Sequence, residues 1–386
     1  MPGTVANPIG LAAALSGDRF SVAYILSGNE AEARAKADDV CLEQTVEFPR
    51  ELLPEGAILD YIVGRVEAFD AAGPKAFRAR ISYTVESAGG DLVQLLNVIF
   101  GNISIMPGIR VEGLSLPESI TSRFKGPRFG RAGLRQRSGV QNRPLICTAL
   151  KPMGLAPAEL AGQAYTFALG GIDFIKDDHG LSDQPFCRYE DRVAACAEAV
   201  ARANQVTGFR CAYFPNISGP ADMVVHRALQ AKELGAGGVL VCPALVGLDV
   251  MRLIAEGDAI GLPVMAHPAF GGSLVTAPGN GFSHGVLYGT LVRLAGADIT
   301  VYPNYGGRFS FSRGECAEIA AASAAPLGRL ASCFPAPGGG MTMDRAPDMF
   351  EVYGRDFVML IGGGLHRRGP DLADNARFFV QLLASM

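Results

Sequence analysis

From about residue 145 onward the chain alternates short, wholly apolar runs with longer stretches whose apolar residues recur at helical spacing. Short apolar runs suit strands buried on both faces of a parallel sheet, and amphipathic stretches between them suit helices covering that sheet. The pattern predicts strands over 145–150, 172–176, 209–214, 238–242, 263–266, 298–302, 330–334 and 357–361. Helical stretches follow them, for example over 157–169, 188–203, 220–234 and 372–383. Eight strand–helix units in succession are the content of a closed (β/α)8 TIM-type barrel. A doubly wound open sheet is the rival architecture, and the even spacing favours the barrel.

The earlier part of the chain has a different texture. Strand-like runs at 20–26 and 75–85 mix with helix-like runs at 30–37 and 90–99, the pattern of a small α+β domain of ferredoxin-like type. The segment 123–144, RFKGPRFGRAGLRQRSGVQNRP, is rich in Gly, Pro and Arg and reads as a linker. The expected organisation is therefore an α/β chain, with an N-terminal domain over 1–130 and a barrel domain over 131–386.

Composition narrows the function classes. With 49% hydrophobic and 19% charged residues, the chain has the make-up of a soluble globular enzyme. A net charge of -4 without Lys/Arg runs gives no footprint for nucleic acid. No apolar stretch reaches bilayer-spanning length, and the start, MPGTVANPIGLAAALSGDRF, has no basic residue before its short apolar run and so does not read as a signal peptide. The eight cysteines (41, 147, 187, 196, 211, 242, 316, 333) form no CxxC or zinc spacing. They read as buried thiols in a reducing, cytoplasmic setting, and none is taken as a nucleophile.

In TIM-type barrels the reactive groups occupy the loops after the strands. Those positions hold Lys151, the run Lys176-Asp177-Asp178-His179, Asn216, His267, Tyr302 and two glycine triplets, 338–340 and 362–364. Charge packed at a strand end is costly unless it is paired or binds a metal. Asp178 and His179 suit a divalent ion; the bland alternative is a solvated loop with a salt bridge. A desolvated Lys176 can lose its proton and act as a base. Lys151 can stabilise an enolate or be the base itself, or else be a rim lysine. The glycine triplets after strands seven and eight fit a phosphate cradle, against the plainer reading as tight turns. His267 can bond a substrate oxygen or shuttle a proton. His284 is expected to cap or pack, and His226 to lie on a helix surface.

The run GGIDFIKDDHGLSDQPFCRYEDR resembles the RuBisCO large-subunit motif, GGxDFxKDDE followed by QPFxRxxDR. The resemblance extends through FKGPRFGRAGLR, LICTALKPMGL, YFPNISG, APGGGM and IGGGL, in that order, over most of the chain. It implies an N-terminal α+β domain, a barrel and a homodimer whose active site joins one barrel to the partner's N-terminal domain. It further implies that Lys176 is the carbamylated, magnesium-binding lysine, with Asp178 a ligand and Lys151 the strand-one lysine of proton transfer. Asn216 and His267 match the strand-three asparagine and strand-five histidine, and Gly338, Gly339, Gly363 and Gly364 the phosphate-binding glycines. Glu43, in CLEQTVEFP, resembles the glutamate that reaches the neighbouring subunit's site. Asn97, in LLNVIFGN, falls one step out of register with the N-domain asparagine.

Departures from the pattern point to a RuBisCO-like protein, form IV. His179 replaces the third metal ligand, a glutamate, and Met153 replaces the second lysine of the strand-one motif. Pro268 stands at the phosphate-gripping arginine, Thr300 at a second histidine, and Pro337 at a serine. The loop PNYGGRFSFSRGE lacks the lysine that closes over carbon dioxide. Losing a cation where a carboxylate must form costs on the order of 10²-fold in rate or more. The expectation is thus enolisation chemistry on a phosphorylated substrate, without carboxylation of ribulose bisphosphate. Cleavage or decarboxylation of a 3-oxo sugar acid such as 3-oxo-isoapionate 4-phosphate is the first substrate class. Isomerisation of 5-methylthioribulose 1-phosphate is the second, and a non-catalytic scaffold or regulator is the third reading.

Overall fold

The computed structural model describes residues 8–309 and 311–386. Residues 1–7, where the signal-peptide reading begins, and Ser310, in the loop PNYGGRFSFSRGE, lie outside the described residues. The chain divides into two compact units. The first comprises Met1–Phe124, Gly272–Leu287 and Pro326–Arg329, and the second the remainder.

The first unit is built on a five-stranded sheet. Its order is Gly281–Phe282, Ile109–Ser115, Arg19–Ser27, Ala76–Thr84, Arg65–Gly73. Arg19–Ser27 alternates buried and half-buried residues, which turns Phe20, Val22, Tyr24 and Leu26 into the core. Helix Glu30–Glu43 opens on a capping box in which Asn29 and Glu32 satisfy each other's backbone N–H groups. Helix Leu92–Phe100 opens on Asp91.

The second unit is the barrel. Its eight parallel strands are Leu145–Leu150, Phe174–Asp177, Ala212–Phe214, Val239–Val241, Val264–Ala266, Ile299–Pro303, Phe334–Gly338 and Val358–Leu360, here numbered one to eight. Strands eight, one, two and three form one ladder, and strands four, five, six and seven another. The Asn216–Leu240 bridge joins strands three and four. Strand seven runs beside strand eight, where a Cβ on Gly338 would lie 2.8 Å from Leu360. The barrel is filled by Cys147, Phe174, Phe214, Leu240, Met265, Ile299, Val301, Phe334, Ala336 and Val358. All eight cysteines are buried and unpaired.

Two details differ from the sequence-based expectation. Strand seven is Phe334–Gly338, later than 330–334. Its prolines, 335 and 337, look like breakers, yet Phe334 donates to the Asp298 carbonyl, so the alternate prolines face strand eight. No ladder is needed on that side, and a residue without an N–H is tolerated at such an edge. The second difference is in the linker, which holds helix Gly130–Ser138. This helix plugs the amino-terminal end of the barrel with Leu134, and Arg131 and Arg135 tie it to the Cys333 and Arg355 carbonyls. A cavity of about 440 Å³ lies beside the plug, lined in part by Arg137, Phe209 and Arg210. It is at the opposite end from the ionisable cluster.

Candidate active site

Strand two orients two adjacent acids oppositely. Phe174 points into the barrel, so Lys176, two residues on, also points inward and Asp177 points outward. Asp177 is fully buried and accepts from Arg192 at 3.1 Å, the Tyr213 hydroxyl at 2.6 Å and the Asn216 backbone at 2.9 Å. That carboxylate is fully committed to holding helix Tyr189–Thr207 against the strand.

Asp178, the first residue past the strand, faces the mouth. Lys151 Nζ lies 2.9 Å from its Oδ1, and His179 Nδ1 lies 3.5 Å from the same atom. Burial by itself would raise the Asp178 carboxyl. Hydrogen bonds from His179 and Lys151, with the charges of Lys176 and Lys151, instead hold it well below the usual carboxylate range. The Lys176 side chain is buried, and its Nζ donates to the Asp177 carbonyl at 3.0 Å. Burial is the largest influence on it and lowers its proton affinity below that of an ordinary lysine. Cys147 and Asp178 oppose that shift and Lys151 reinforces it.

His267 follows strand five, its ring stacked on that of His179 with centroids 4.6 Å apart. Burial, then the charges of Lys176 and His179, push its pKa well down, so the imidazole is neutral. Its Nδ1 accepts from the Ala269 N–H at 3.2 Å, which assigns the ring proton to Nε2. Asn216 has a supporting place: its amide donates to the His179 and Leu181 carbonyls, both at 2.9 Å, and pins the loop carrying Asp178 and His179.

The glycine turns adjoin each other. A Cβ on Gly364 would collide with the Met341 carbonyl, and Gly363 has open space around it. Gly339 and Gly340 have φ of 88° and 93°, which side chains disfavour. Successive N–H groups in such turns form anion-binding concavities. Those of Gly339 and Gly340 donate to no acceptor among the described residues. Strand eight pairs with strand one and strand one with strand two, so the turns and both lysines share one arc of the mouth.

Lys151, Lys176, Asp178, His179 and His267 therefore converge. Glu43 belongs to the first unit, where its Oε1 accepts from Asn102 at 2.9 Å. Asn97 instead donates to Gln94 within its own helix. Asn102, in the Gly-Asn pair that ends LLNVIFGN, is the asparagine beside Glu43. His284 is buried, and His226 is exposed on helix Ala221–Glu233.

Among the described residues no three His, Cys, Asp or Glu side chains are arranged to hold a metal. A cation site therefore depends on Lys176. Its nitrogen, with lowered proton affinity, can add to carbon dioxide and release a proton, leaving a carbamate. The set then offers carbamate and Asp178 oxygens with one His179 nitrogen, which fits a divalent cation with less charge than an all-oxygen set.

The chain is similar to known proteins over most of its length. The model of the ribulose bisphosphate carboxylase large chain, catalytic domain, matches residues 132–307. The chain is 40% identical to ribulose bisphosphate carboxylase-like protein 1 of Rhodopseudomonas palustris over 95% of this chain and 98% of that one. It is 38% identical to a 5-methylthioribulose-1-phosphate isomerase of Rhodospirillum rubrum over 95% of this chain and 96% of that one. A 2,3-diketo-5-methylthiopentyl-1-phosphate enolase of Geobacillus kaustophilus is 34% identical, over 82% of this chain and 76% of that one. The crystal structure of a Rubisco-like protein from Rhodopseudomonas palustris superposes with a TM-score of 0.87 at 39% identity, covering 96% of this chain and 99% of that one.

Proposed function

The chain belongs to the RuBisCO large-chain family, as a RuBisCO-like protein of form IV, and from that premise we propose that it enolises a phosphorylated ketose without carboxylating it. The observation that carries this reading is the convergence of Lys151, Lys176, Asp178 and the stacked His179–His267 pair beside two glycine turns. In this reading the phosphoryl group rests on Gly338, Gly339, Gly363 and Gly364. The carbonyl oxygen accepts from Nε2 of His267. Carbamylated Lys176, Asp178 and His179 would hold magnesium, which supplies Lewis-acid polarisation of that carbonyl.

Lys151, whose Nζ lies 2.9 Å from Asp178 Oδ1, is the amine placed to act in its unprotonated form as the base beside the carbonyl. Lys151 takes the proton of the hydroxyl-bearing carbon and the electron pair moves into the enediolate; that proton returns to the former carbonyl carbon while the hydroxyl proton passes to the former carbonyl oxygen, an isomerisation with no net redox change. We assign the partner subunit's Glu43 to the same site in a homodimer.

Between the two substrate classes, the rim favours a ketose phosphate of the 5-methylthioribulose 1-phosphate type. Met153, Phe270 and Phe309, in the loops after strands one, five and six, are exposed apolar side chains suited to a thioether. The relatives named for such substrates point the same way. The 3-oxo sugar acid serves as the comparison substrate. The test is proton-exchange NMR in D2O with both, on wild type, Lys151→Ala and Lys176→Ala. Exchange should occur with the ketose phosphate and drop by about 10²-fold or more in each variant. Exchange unaffected by both substitutions would rule out this assignment.

A further inference from the structure

Three arginines lie around the loop after strand six, where it folds over the glycine turn of strand seven. Arg313 is 3.2 Å from Glu351, and Arg345 is 3.4 Å from Asp348 and donates to the Tyr305 carbonyl at 2.8 Å. Arg308 is different. Among the described residues its guanidinium has no carboxylate and no hydrogen-bond acceptor; it is exposed and lies 5.0 Å over the Phe309 ring.

Its backbone is nevertheless fixed to the turn. The Arg308 N–H donates to the Gly339 carbonyl at 3.2 Å, and a Cβ on Gly340 would lie 3.9 Å from the Arg308 Cβ. Phe309 packs 3.0 Å from where Gly339 would carry a Cβ, and a side chain on Gly307 would collide with the Gly339 carbonyl. The chain thus anchors a cation one side chain's reach from two backbone N–H groups, and among the described residues neither the cation has a carboxylate nor the N–H groups an acceptor. A guanidinium presents a planar fork that matches two oxygens of a phosphoryl group, which a glycine turn alone cannot neutralise.

We propose that Arg308 is a substrate-binding residue that clamps the phosphoryl group on the Gly339–Gly340 turn and sets the preference for phosphorylated over unphosphorylated ketoses. The inference rests on the phosphate cradle described above. It assigns a cation to a loop whose missing lysine had suggested that it carries none.

The test uses inorganic phosphate as the probe, followed by ³¹P NMR titration at constant ionic strength. Arg308→Gln should weaken phosphate binding about tenfold or more, and Arg308→Lys, which keeps charge but loses the fork, by an intermediate factor. Arg313→Gln, whose arginine is already paired, should bind as wild type does. In the D2O exchange assay, Arg308→Gln should raise KM for the ketose phosphate while leaving kcat within severalfold, with an unchanged thermal midpoint. Arg308→Gln that binds phosphate as tightly as wild type, or that lowers kcat at constant KM, would overturn the clamp and leave the cradle and the enolisation reading in place. A wild type that takes no phosphate would overturn clamp and cradle together.

Discussion

Asp177 shares no solvent with its sequence neighbour: both it and Arg192 have side chains at 0% exposure, and each is the other's charge partner. Breaking a buried pair from one side leaves an uncompensated charge, at a cost of about 3–5 kcal/mol. Asp177→Asn should therefore lower the urea midpoint strongly, seen by circular dichroism, whatever it does to turnover. Asp178 is partly exposed and its partners, Lys151 and His179, can reach water. Asp178→Asn should lower the urea midpoint by less than Asp177→Asn while reducing proton exchange by about 10²-fold or more. Equal stability losses in the two variants would contradict the division of labour. The proposed magnesium site rests on the same residues. Exhaustive chelation with removal of carbon dioxide should abolish exchange, and exchange that survives both would reject carbamylated Lys176 as a ligand. The sequence offered Asp178 of the KDDH run as the site acid, but not the burial of Asp177 against Arg192, because that depends on where the strand ends. Asn102 was not singled out because its pairing with Glu43 forms across 59 residues, which local sequence does not show.

The secondary structure was legible wherever hydrophobic patterning decided it. Strand one and helix Pro157–Leu169 fall where the apolar period places them. Strand seven was not legible, since its two prolines are permitted by the missing ladder on one side, a tertiary fact. The plug helix was hidden because Leu134 is its one large apolar residue and its arginines serve as anchors. Its start is held by Asp298, whose carboxylate accepts from the Phe129, Gly130 and Val264 N–H groups at 2.8, 2.7 and 2.9 Å. Burial outweighs those donors and raises this carboxyl from 3.8 to about 6. The folded state therefore favours the protonated form. Its contribution is fully present below the unfolded pKa of 3.8 and is lost as pH rises through about 6. Across that window wild type should lose up to about 3 kcal/mol relative to Asp298→Asn, measured by urea unfolding at pH 4 and pH 7. A stability gap that does not change with pH would refute it. The glycine turns give a second contrast at this scale. Gly364→Ala should disturb the loops after strands seven and eight, because its Cβ meets the Met341 carbonyl, and lower the thermal midpoint. Gly363→Ala meets open space, so it should fold normally and still raise KM about tenfold, by crowding the backbone N–H groups of the proposed phosphate cradle.

At the scale of the whole molecule, the family resemblance and the separation of Glu43 from the barrel residues into different compact units raise one question: which copy of Glu43 serves which barrel. A homodimer with shared sites gives a definite answer when two inactive variants are mixed. Let one subunit carry Glu43→Gln and the other Lys176→Met, each homodimer being inactive. In the mixed dimer, one site combines the damaged barrel with the damaged N-terminal domain, while the other combines an intact barrel with an intact N-terminal domain. Random exchange of equal amounts makes half the dimers mixed, with one good site in each, so activity should return to about a quarter of wild type. If each site were completed within its own subunit, every site in the mixed dimer would carry one defect and no activity would return. The recovered fraction, measured by proton exchange after refolding the mixture, therefore separates the two arrangements. Near-zero recovery, with mixed dimers demonstrated by differential tagging, would remove Glu43 of the partner subunit from the site while leaving the barrel cluster intact.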